Sequence, residues 1–233
     1  MSYLRFFLIF VLTFIYGTGV YVRMRFHKDP TIFSRYAMSW AKKILKICNT
    51  SLSVSNPFSI SLTQDFVITP NHASLMDIPI LLATFPIVRI MYKKDLEKIP
   101  FFGWVLKNSP FIPVSREDNK RAYETLQETI LKLQNGSSIV IFPEGTRSDD
   151  GMLGQFKRGA FFMALKANKA ILPVVILGSN KLLPNKSTKL TPGKVEIHIA
   201  TPIEIPQNIS RSEEKELMNT VYELMNKMLE RNR

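Results

Sequence analysis

Cysteine and histidine are scarce in this 233-residue chain. It contains one cysteine, Cys48, and three histidines, His27, His72 and His198, which lie far apart in the sequence. A single cysteine cannot form an internal disulfide, and these residues lack the spacing of a zinc site. We therefore expect a protein of a reducing compartment with no bound metal. We interpret Cys48 as a small apolar residue on a helix face rather than as a nucleophile.

Acidic residues are almost missing from residues 1–64, where Asp29 stands against eight lysines and arginines. This segment carries +7 of the formal net charge of +12. Residues 6–22 have no charge, and as a helix they would reach ~26 Å, slightly less than the ~30 Å hydrocarbon core of a bilayer. The segment could span a membrane or only enter it. A cleaved secretory signal is the alternative, but the apolar run continues past Tyr16 and no Ala-x-Ala-like site follows.

Residues 31–49 have the pattern of a basic amphipathic helix. One face carries Arg35, Ser39, Lys42, Lys43 and Lys46. The other face carries Ile32, Phe33, Tyr36, Ala37, Trp40, Ile44 and Ile47. Such a helix suits the surface of an anionic membrane, although a surface helix of a soluble core could also have this pattern. We expect residues 1–49 to form a two-helix membrane-anchoring motif.

After residue 49, short apolar runs alternate with helical patterns. The runs predict strands at residues 66–69, 88–92, 111–114, 138–142, 171–177 and 195–200. The helical patterns lie at residues 118–134, 158–168 and 212–230. Strands that alternate with helices are typical of a parallel sheet with crossover connections. We therefore predict that residues 50–233 form one α/β domain, with a mostly parallel central sheet flanked by helices.

A polar segment, residues 71–77 (NHASLMD), follows the first of these predicted strands. His72 and Asp77 would be ~140° apart on one helix, so they can meet only if His72 lies in a turn before it. Ser74 and Asp77 have capping-box spacing, which predicts a helix that begins near Ser74. A carboxylate bound to one imidazole nitrogen leaves the other free to take a proton from a hydroxyl. Alternatively, Asp77 is only a cap and His72 a buried loop residue.

A second polar segment, residues 142–148 (FPEGTRS), follows another predicted strand. Gly145 allows close backbone approach, and Arg147 offers a planar fork suited to phosphate oxygens. A helix predicted to open at residues 157–159 would favour an anion at its N-terminus. Glu144 is unexpected beside an anion, and we expect it to position the basic groups or a substrate hydroxyl. The alternative is a simple turn with an exposed arginine.

These two segments resemble the hallmarks of the glycerolipid acyltransferase family, of the 1-acylglycerol-3-phosphate (lysophosphatidate) acyltransferase type. The family motifs are His-x4-Asp and Phe-Pro-Glu-Gly-Thr-Arg-Ser, and both stand here in the family order. Weaker similarity extends over residues 99–104, 110–116, 156–159 and 172–174, within an overall span of about 65–180. One departure is Ser115, because the family usually has an aspartate before the arginine.

The resemblance implies that residues 50–233 form an acyltransferase domain. His72 would be the general base and Asp77 the residue that orients it. The sn-2 hydroxyl of 1-acylglycerol 3-phosphate would attack an acyl thioester directly, giving phosphatidate. The substrate-binding residues implied by the family motifs are Arg116, Glu144, Gly145, Thr146 and Arg147. We expect no cofactor and no metal, since acyl-CoA or acyl-carrier protein serves as a substrate.

The expected location is a membrane, with the catalytic domain on the cytoplasmic side. The expected partners are lysophosphatidate, the acyl donor and the bilayer, and not nucleic acid. An enzyme of the same fold acting on another lysophospholipid or lyso-aminolipid is an alternative. A non-catalytic module for anionic lipid or nucleic acid is another, suggested by the pI of about 9.8, but no nucleic-acid-binding motif is present. The sequence does not indicate an oligomeric state.

Overall fold

The computed structural model describes residues 2–27, 29, 31–115, 119–206 and 209–232. Within this part of the chain the strands are β1 Thr50–Ser55, β2 Val67–Pro70, β3 Val88–Lys93, β4 Ile112–Val114, β5 Ser138–Val140, β6 Ile171–Leu177 and β7 Gly193–Ile199. The α-helices are α1 Ser2–Phe26, α2 Ile32–Ile47, α3 Asp77–Thr84, α4 Phe102–Lys107, α5 Asn119–Gln134, α6 Gly159–Ala167, α7 Ser179–Leu182 and α8 Arg211–Arg231. A 3-10 helix covers Lys94–Lys98.

The strands form one sheet in the order β1-β7-β6-β2-β5-β3-β4. The five strands from β6 to β4 run parallel to one another, whereas β7 pairs antiparallel with β6 and parallel with β1. The predicted α/β class with a mostly parallel sheet is confirmed. The six predicted strands are present, with ends shifted by at most two residues, and β1 was not predicted.

The central strands are buried on both faces of the sheet. Because successive strand residues point to opposite faces, Ile68 and Val140 contribute to one apolar layer, and Val67 and Ile139 to the other. Helices α2 and α3 complete the first layer, and α5, α6 and α8 complete the second. Because β2 and β5 are parallel neighbours, the loops that follow them leave the sheet at the same edge.

Helix α2 has two faces: an apolar face that packs on the domain and the predicted basic face. Its apolar side, including Ala41 and Ile44, is buried in the layer with α3, whereas Lys42 and Lys46 are exposed. Cys48 ends this helix in the core, where burial raises the pKa of its thiol to about 11. A thiol in that state is a poor nucleophile, as expected for an apolar packing residue.

Helix α1 lies against the domain but leaves much apolar surface exposed. At its beginning, Ser2 Oγ and Arg5 Nη1 donate hydrogen bonds to the Leu190 carbonyl oxygen at 3.4 and 3.3 Å. Of the helices in the described chain, α1 is the one long and apolar enough to cross a membrane. Its exposed large side chains are Tyr3, Leu4, Phe7, Leu8, Phe10, Phe14, Ile15, Tyr21, Val22, Met24 and Phe26. The helix therefore offers an apolar surface that a bilayer would cover.

The contact between α1 and α4 requires a glycine at position 17. A Cβ atom there would lie 2.5 Å from Val105 Cγ2, whereas one on Gly19 would lie 3.3 Å from Tyr36 Cε1. Both Gly17→Ala and Gly19→Ala gain the same helix propensity, so their difference measures the clash. We expect Gly17→Ala to have a free energy of unfolding about 1–3 kcal/mol lower than that of Gly19→Ala, measured by thermal unfolding in detergent. Equal stabilities would mean that α1 does not hold this position against α4.

Candidate active site

His72 and Asp77 meet as the sequence predicts. The His72 Nδ1–H donates to Asp77 Oδ2 at 2.7 Å, and the carboxylate is fully buried. The same oxygen accepts the backbone N–H groups of Ala73 and Ser74 at 2.8 and 2.9 Å. Three donors therefore fix this carboxylate, which in turn fixes the imidazole tautomer and orientation.

The predicted helix start is wrong by three residues, because α3 begins at Asp77. Ser74 forms only half of the predicted capping box: its N–H donates to Asp77 Oδ2, but its hydroxyl does not accept the Asp77 N–H. Its hydroxyl donates to the Leu183 carbonyl at 2.7 Å and accepts from the Met76 N–H at 3.1 Å. The chain from Ala73 to Met76 is thereby held as a turn around the Asp77 carboxylate, which places His72 beside the first turn of α3.

The imidazole ring of His72 is held from its face as well. It stacks on the Phe142 ring with 3.8 Å between centroids and 20° between planes. The side chain is 17% exposed and lines a cavity. Because Nδ1 carries the proton shared with Asp77, Nε2 has the lone pair that can accept a proton. The arrangement is suited to general-base chemistry at the cavity wall.

Glu144 holds the backbone of the base. Its Oε1 accepts the His72 N–H at 2.7 Å and its Oε2 accepts the Gly154 N–H at 2.8 Å. The side chain is buried, and this burial raises the pKa of the carboxyl group, whereas the two backbone hydrogen bonds oppose the rise. Both oxygens are engaged by the protein. The geometry therefore favours a positioning role for Glu144 over the substrate contact that the resemblance implies.

The second polar segment, residues 142–148, also holds the carbonyl group of His72, because the Ser148 N–H donates to that carbonyl oxygen at 2.8 Å. The backbone N–H, the carbonyl and the ring of His72 are thus each held by a residue of the segment 142–148. The two polar segments form one site, as their places after neighbouring parallel strands predict.

A cavity of about 860 Å³ opens in front of His72. Its polar end is lined by Gly145, Thr146, Arg147, Asp149, Asn185 and Lys186. Its apolar part is lined by residues that include Leu82, Leu96, Phe102, Val105, Leu106 and Phe111. Residues of α1 and α2, among them Thr13, Gly17, Tyr36 and Trp40, form its roof. The cavity therefore brings polar and cationic side chains, a base and many apolar side chains into one space.

The other predicted site residues have mixed outcomes. Gly145, Thr146 and Arg147 line the polar end, and the positive φ of 70° at Gly145 is one that glycine adopts readily. Arg116 lies outside the described residues. At the predicted helix opening, Gly159 lines the cavity. Arg158 instead bonds to buried Glu214 through Nε at 2.7 and 2.9 Å.

Sequence reasoning missed several polar residues of the cavity wall, among them Asp149, just past the second motif, and three residues of other elements. Lys93 ends β3, and Asn185 and Lys186 lie in the turn after α7. They belong to elements far apart in the chain, so no local motif contained them. The signal that was available is their position after strands of the parallel sheet, where ligand-binding side chains are commonly found.

Comparison with known proteins agrees with this site. The family model described as Acyltransferase matches residues 51–177. A chloroplastic 1-acyl-sn-glycerol-3-phosphate acyltransferase, LPAT1 of Arabidopsis thaliana, is 36% identical over 138 residues, which cover 59% of this chain and 39% of that protein. A 1-acyl-sn-glycerol-3-phosphate acyltransferase of Borreliella burgdorferi is 31% identical over 188 residues, covering 80% of this chain and 74% of that protein.

A solved structure covers the whole chain. The crystal structure of the 1-acyl-sn-glycerophosphate acyltransferase PlsC from Thermotoga maritima superposes with a TM-score of 0.83 at 31% identity, covering 100% of this chain and 95% of that one. The matched region spans about two fifths of the length of the plant relatives and 74% of the Borreliella burgdorferi relative. The family model, the bacterial relative and the solved structure together establish that the chain belongs to the acyltransferase family.

Proposed function

We propose that this protein transfers an acyl group from a thioester to the sn-2 hydroxyl of 1-acylglycerol 3-phosphate, giving phosphatidate. The observation that carries the proposal is the cavity itself, whose lining brings together His72, held by Asp77, with Arg147 and many apolar side chains. An acceptor with a phosphate head, a reacting hydroxyl and an acyl chain has a matching group for each of these three kinds of lining residue. The Arabidopsis thaliana, Borreliella burgdorferi and Thermotoga maritima relatives, all named as acyltransferases of this acceptor, support the same choice.

The proposed reaction is a direct acyl transfer. His72 Nε2 takes the proton of the sn-2 hydroxyl while its oxygen attacks the thioester carbonyl, and Asp77 stabilises the imidazolium. The tetrahedral intermediate then collapses, the C–S bond breaks, and the thiolate takes the proton from His72. The new ester bond replaces the thioester bond, so the base is restored and no cofactor is needed.

The proposal also covers the placement of the protein at a membrane and the identity of the acyl donor. We place α1 in the bilayer and the basic face of α2 at its surface, with the catalytic domain on the cytoplasmic side. The exposed apolar residues of α1 and the exposed Lys42 and Lys46 of α2 support this placement. The proposed donor is acyl-CoA or acyl-carrier protein, since each presents an acyl thioester.

Arg147 provides the test of the acceptor. The purified enzyme is assayed with lysophosphatidate against acyl-CoA and acyl-carrier-protein donors, and then with 1-monoacylglycerol as an acceptor that lacks phosphate. Arg147→Ala is expected to lower kcat/KM for lysophosphatidate about 10- to 100-fold, because one charge-assisted hydrogen bond contributes ~1.5–3 kcal/mol. The effect on 1-monoacylglycerol should be much smaller.

The matched control is Arg211→Ala, which removes an exposed arginine at the start of α8 and should leave both activities unchanged. Equal losses with both acceptors would contradict a phosphate-binding role for Arg147. Transfer to another lysophospholipid or to a lyso-aminolipid, but not to lysophosphatidate, would overturn the proposed acceptor while keeping the reaction class.

A further inference from the structure

The turn between α7 and β7 forms part of the cavity wall beside the second family motif. Asn185 and Lys186 line the same cavity as His72 and Arg147. Lys186 has a positive φ of 60°, which lysine rarely adopts. The turn is closed by the Ser187 N–H donating to the Pro184 carbonyl at 3.1 Å. This unusual backbone carries the Lys186 side chain to the polar end of the cavity.

Both sides of this turn are tied to other parts of the protein. Before it, the Leu183 carbonyl accepts the Ser74 hydroxyl from the loop that holds the base. After it, the Leu190 carbonyl accepts hydrogen bonds from Ser2 and Arg5 of α1. The position of Lys186 relative to His72 is therefore set by hydrogen bonds on both sides, which suits a residue that positions a ligand.

Asp149 occupies the space between the turn and the second motif. Its Oδ2 accepts from Lys186 Nζ at 3.0 Å and its Oδ1 accepts from Asn185 Nδ2 at 2.7 Å. Asn185 Nδ2 also lies 3.5 Å from the Arg147 carbonyl oxygen. These donors, and the Arg147 charge, hold the pKa of the Asp149 carboxyl group below its usual range. The Asp149 carboxylate therefore lies where a bound anion would contact two cationic side chains, Arg147 and Lys186, which come from separate segments of the chain.

We propose that Lys186 is a further binding residue for the acceptor phosphate, and that Asp149 is the counter-ion it leaves when the phosphate binds. This inference rests on the proposed function. The Lys186 side chain is 78% exposed and that of Asp149 is 66% exposed, so the lysine can turn from one anion to the other without a buried charge being left unpaired. A phosphate dianion attracts Lys186 and Arg147 more strongly than one carboxylate does, whereas an uncharged headgroup does not displace Asp149. The pair therefore selects for phosphate-bearing acceptors.

The two residues predict effects of opposite sign. Lys186→Asn removes the cation and keeps a residue that tolerates a left-handed backbone. We expect it to raise KM for lysophosphatidate about fivefold, with kcat and the KM for acyl-CoA unchanged. Asp149→Asn removes the competing carboxylate, and we expect it to lower KM for lysophosphatidate about two- to fivefold. The matched control is Lys189→Asn, at an exposed lysine of the same segment that does not line the cavity.

The outcomes separate this inference from the function on which it rests. If the unsubstituted enzyme transfers no acyl group to lysophosphatidate, the proposed function fails and the inference fails with it. If the unsubstituted enzyme is active and Lys186→Asn has the KM of the Lys189→Asn control, the inference alone is overturned. A rise in the KM for acyl-CoA in place of the KM for lysophosphatidate would also overturn it, because the turn would then serve the donor.

Discussion

Replacement of His72 by alanine is expected to lower kcat for acyl transfer by about 10²- to 10⁴-fold. His72 is the one histidine among the described residues of the cavity wall, and its imidazole is the one there that could take the proton from the acceptor hydroxyl. The variant should fold, because the ring packs mainly on Phe142 and remains partly exposed to the cavity. Initial rates with lysophosphatidate and acyl-CoA measure the loss, and circular dichroism and membrane co-sedimentation check folding and binding.

His198→Ala is the matched control for this experiment. That imidazole lies on β7 and approaches Glu196 at 3.1 Å, and it does not line the cavity. Its removal should leave the rate of transfer unchanged. A His72→Ala enzyme with a turnover close to that of the control would refute the assignment of His72 as the base.

Glu144→Ala is expected to be nearly as damaging, for a different reason. It would remove the acceptor of the partly buried backbone N–H groups of His72 and Gly154, at a cost of up to ~1–3 kcal/mol each. We expect the free energy of unfolding to fall by about 2–5 kcal/mol. Because the base would also lose its backbone support, kcat should fall about 10²-fold, the loss expected of a ~1 Å displacement.

The kinetic pattern distinguishes positioning from substrate contact. A positioning role predicts that kcat falls while the KM values for both substrates stay near those of the unsubstituted enzyme. Glu144→Gln keeps the volume and one acceptor oxygen, so it should have intermediate stability and turnover. Glu223→Ala, at an exposed position of α8, is the matched control. A raised KM for lysophosphatidate with unchanged kcat would instead show direct contact between Glu144 and the acceptor.

The sequence predicted those elements of the fold that have a strong local hydrophobic pattern. Runs of buried β-branched residues indicated the central strands, because these strands are apolar on both faces. It missed β1, whose residues Thr50–Ser55 alternate between serine or threonine and other side chains, with only Leu52 and Val54 apolar. This strand lies at the edge of the sheet, where one neighbour and partial exposure leave a weak hydrophobic pattern.

The candidate site also has parts that the sequence could predict and parts that it could not. The contact between His72 and Asp77 was predicted on the condition that His72 lies in a turn before the helix, and the structure has both the turn and the contact. The hydrogen bonds of Glu144 could not be predicted, since nothing in a local motif tells whether a carboxylate points into a cavity or towards the backbone behind it. Lys186 is more than a hundred residues from His72 in the sequence. The crossover connections of the sheet bring it to the site, so no local motif could predict it.

The roof formed by α1 and α2 has a consequence for product release. For the proposed product, two chains with ~30 methylenes in total would cost ~24 kcal/mol to pass into water at ~0.8 kcal/mol each. A barrier of that height permits only ~10⁻⁵ events per second, far below an ordinary turnover. The cavity and the exposed apolar face of α1 lie on opposite sides of one helix, ~10 Å across. With α1 in the bilayer as proposed, product should therefore leave sideways into the lipid, past the close contact of α1 with α4 at Gly17.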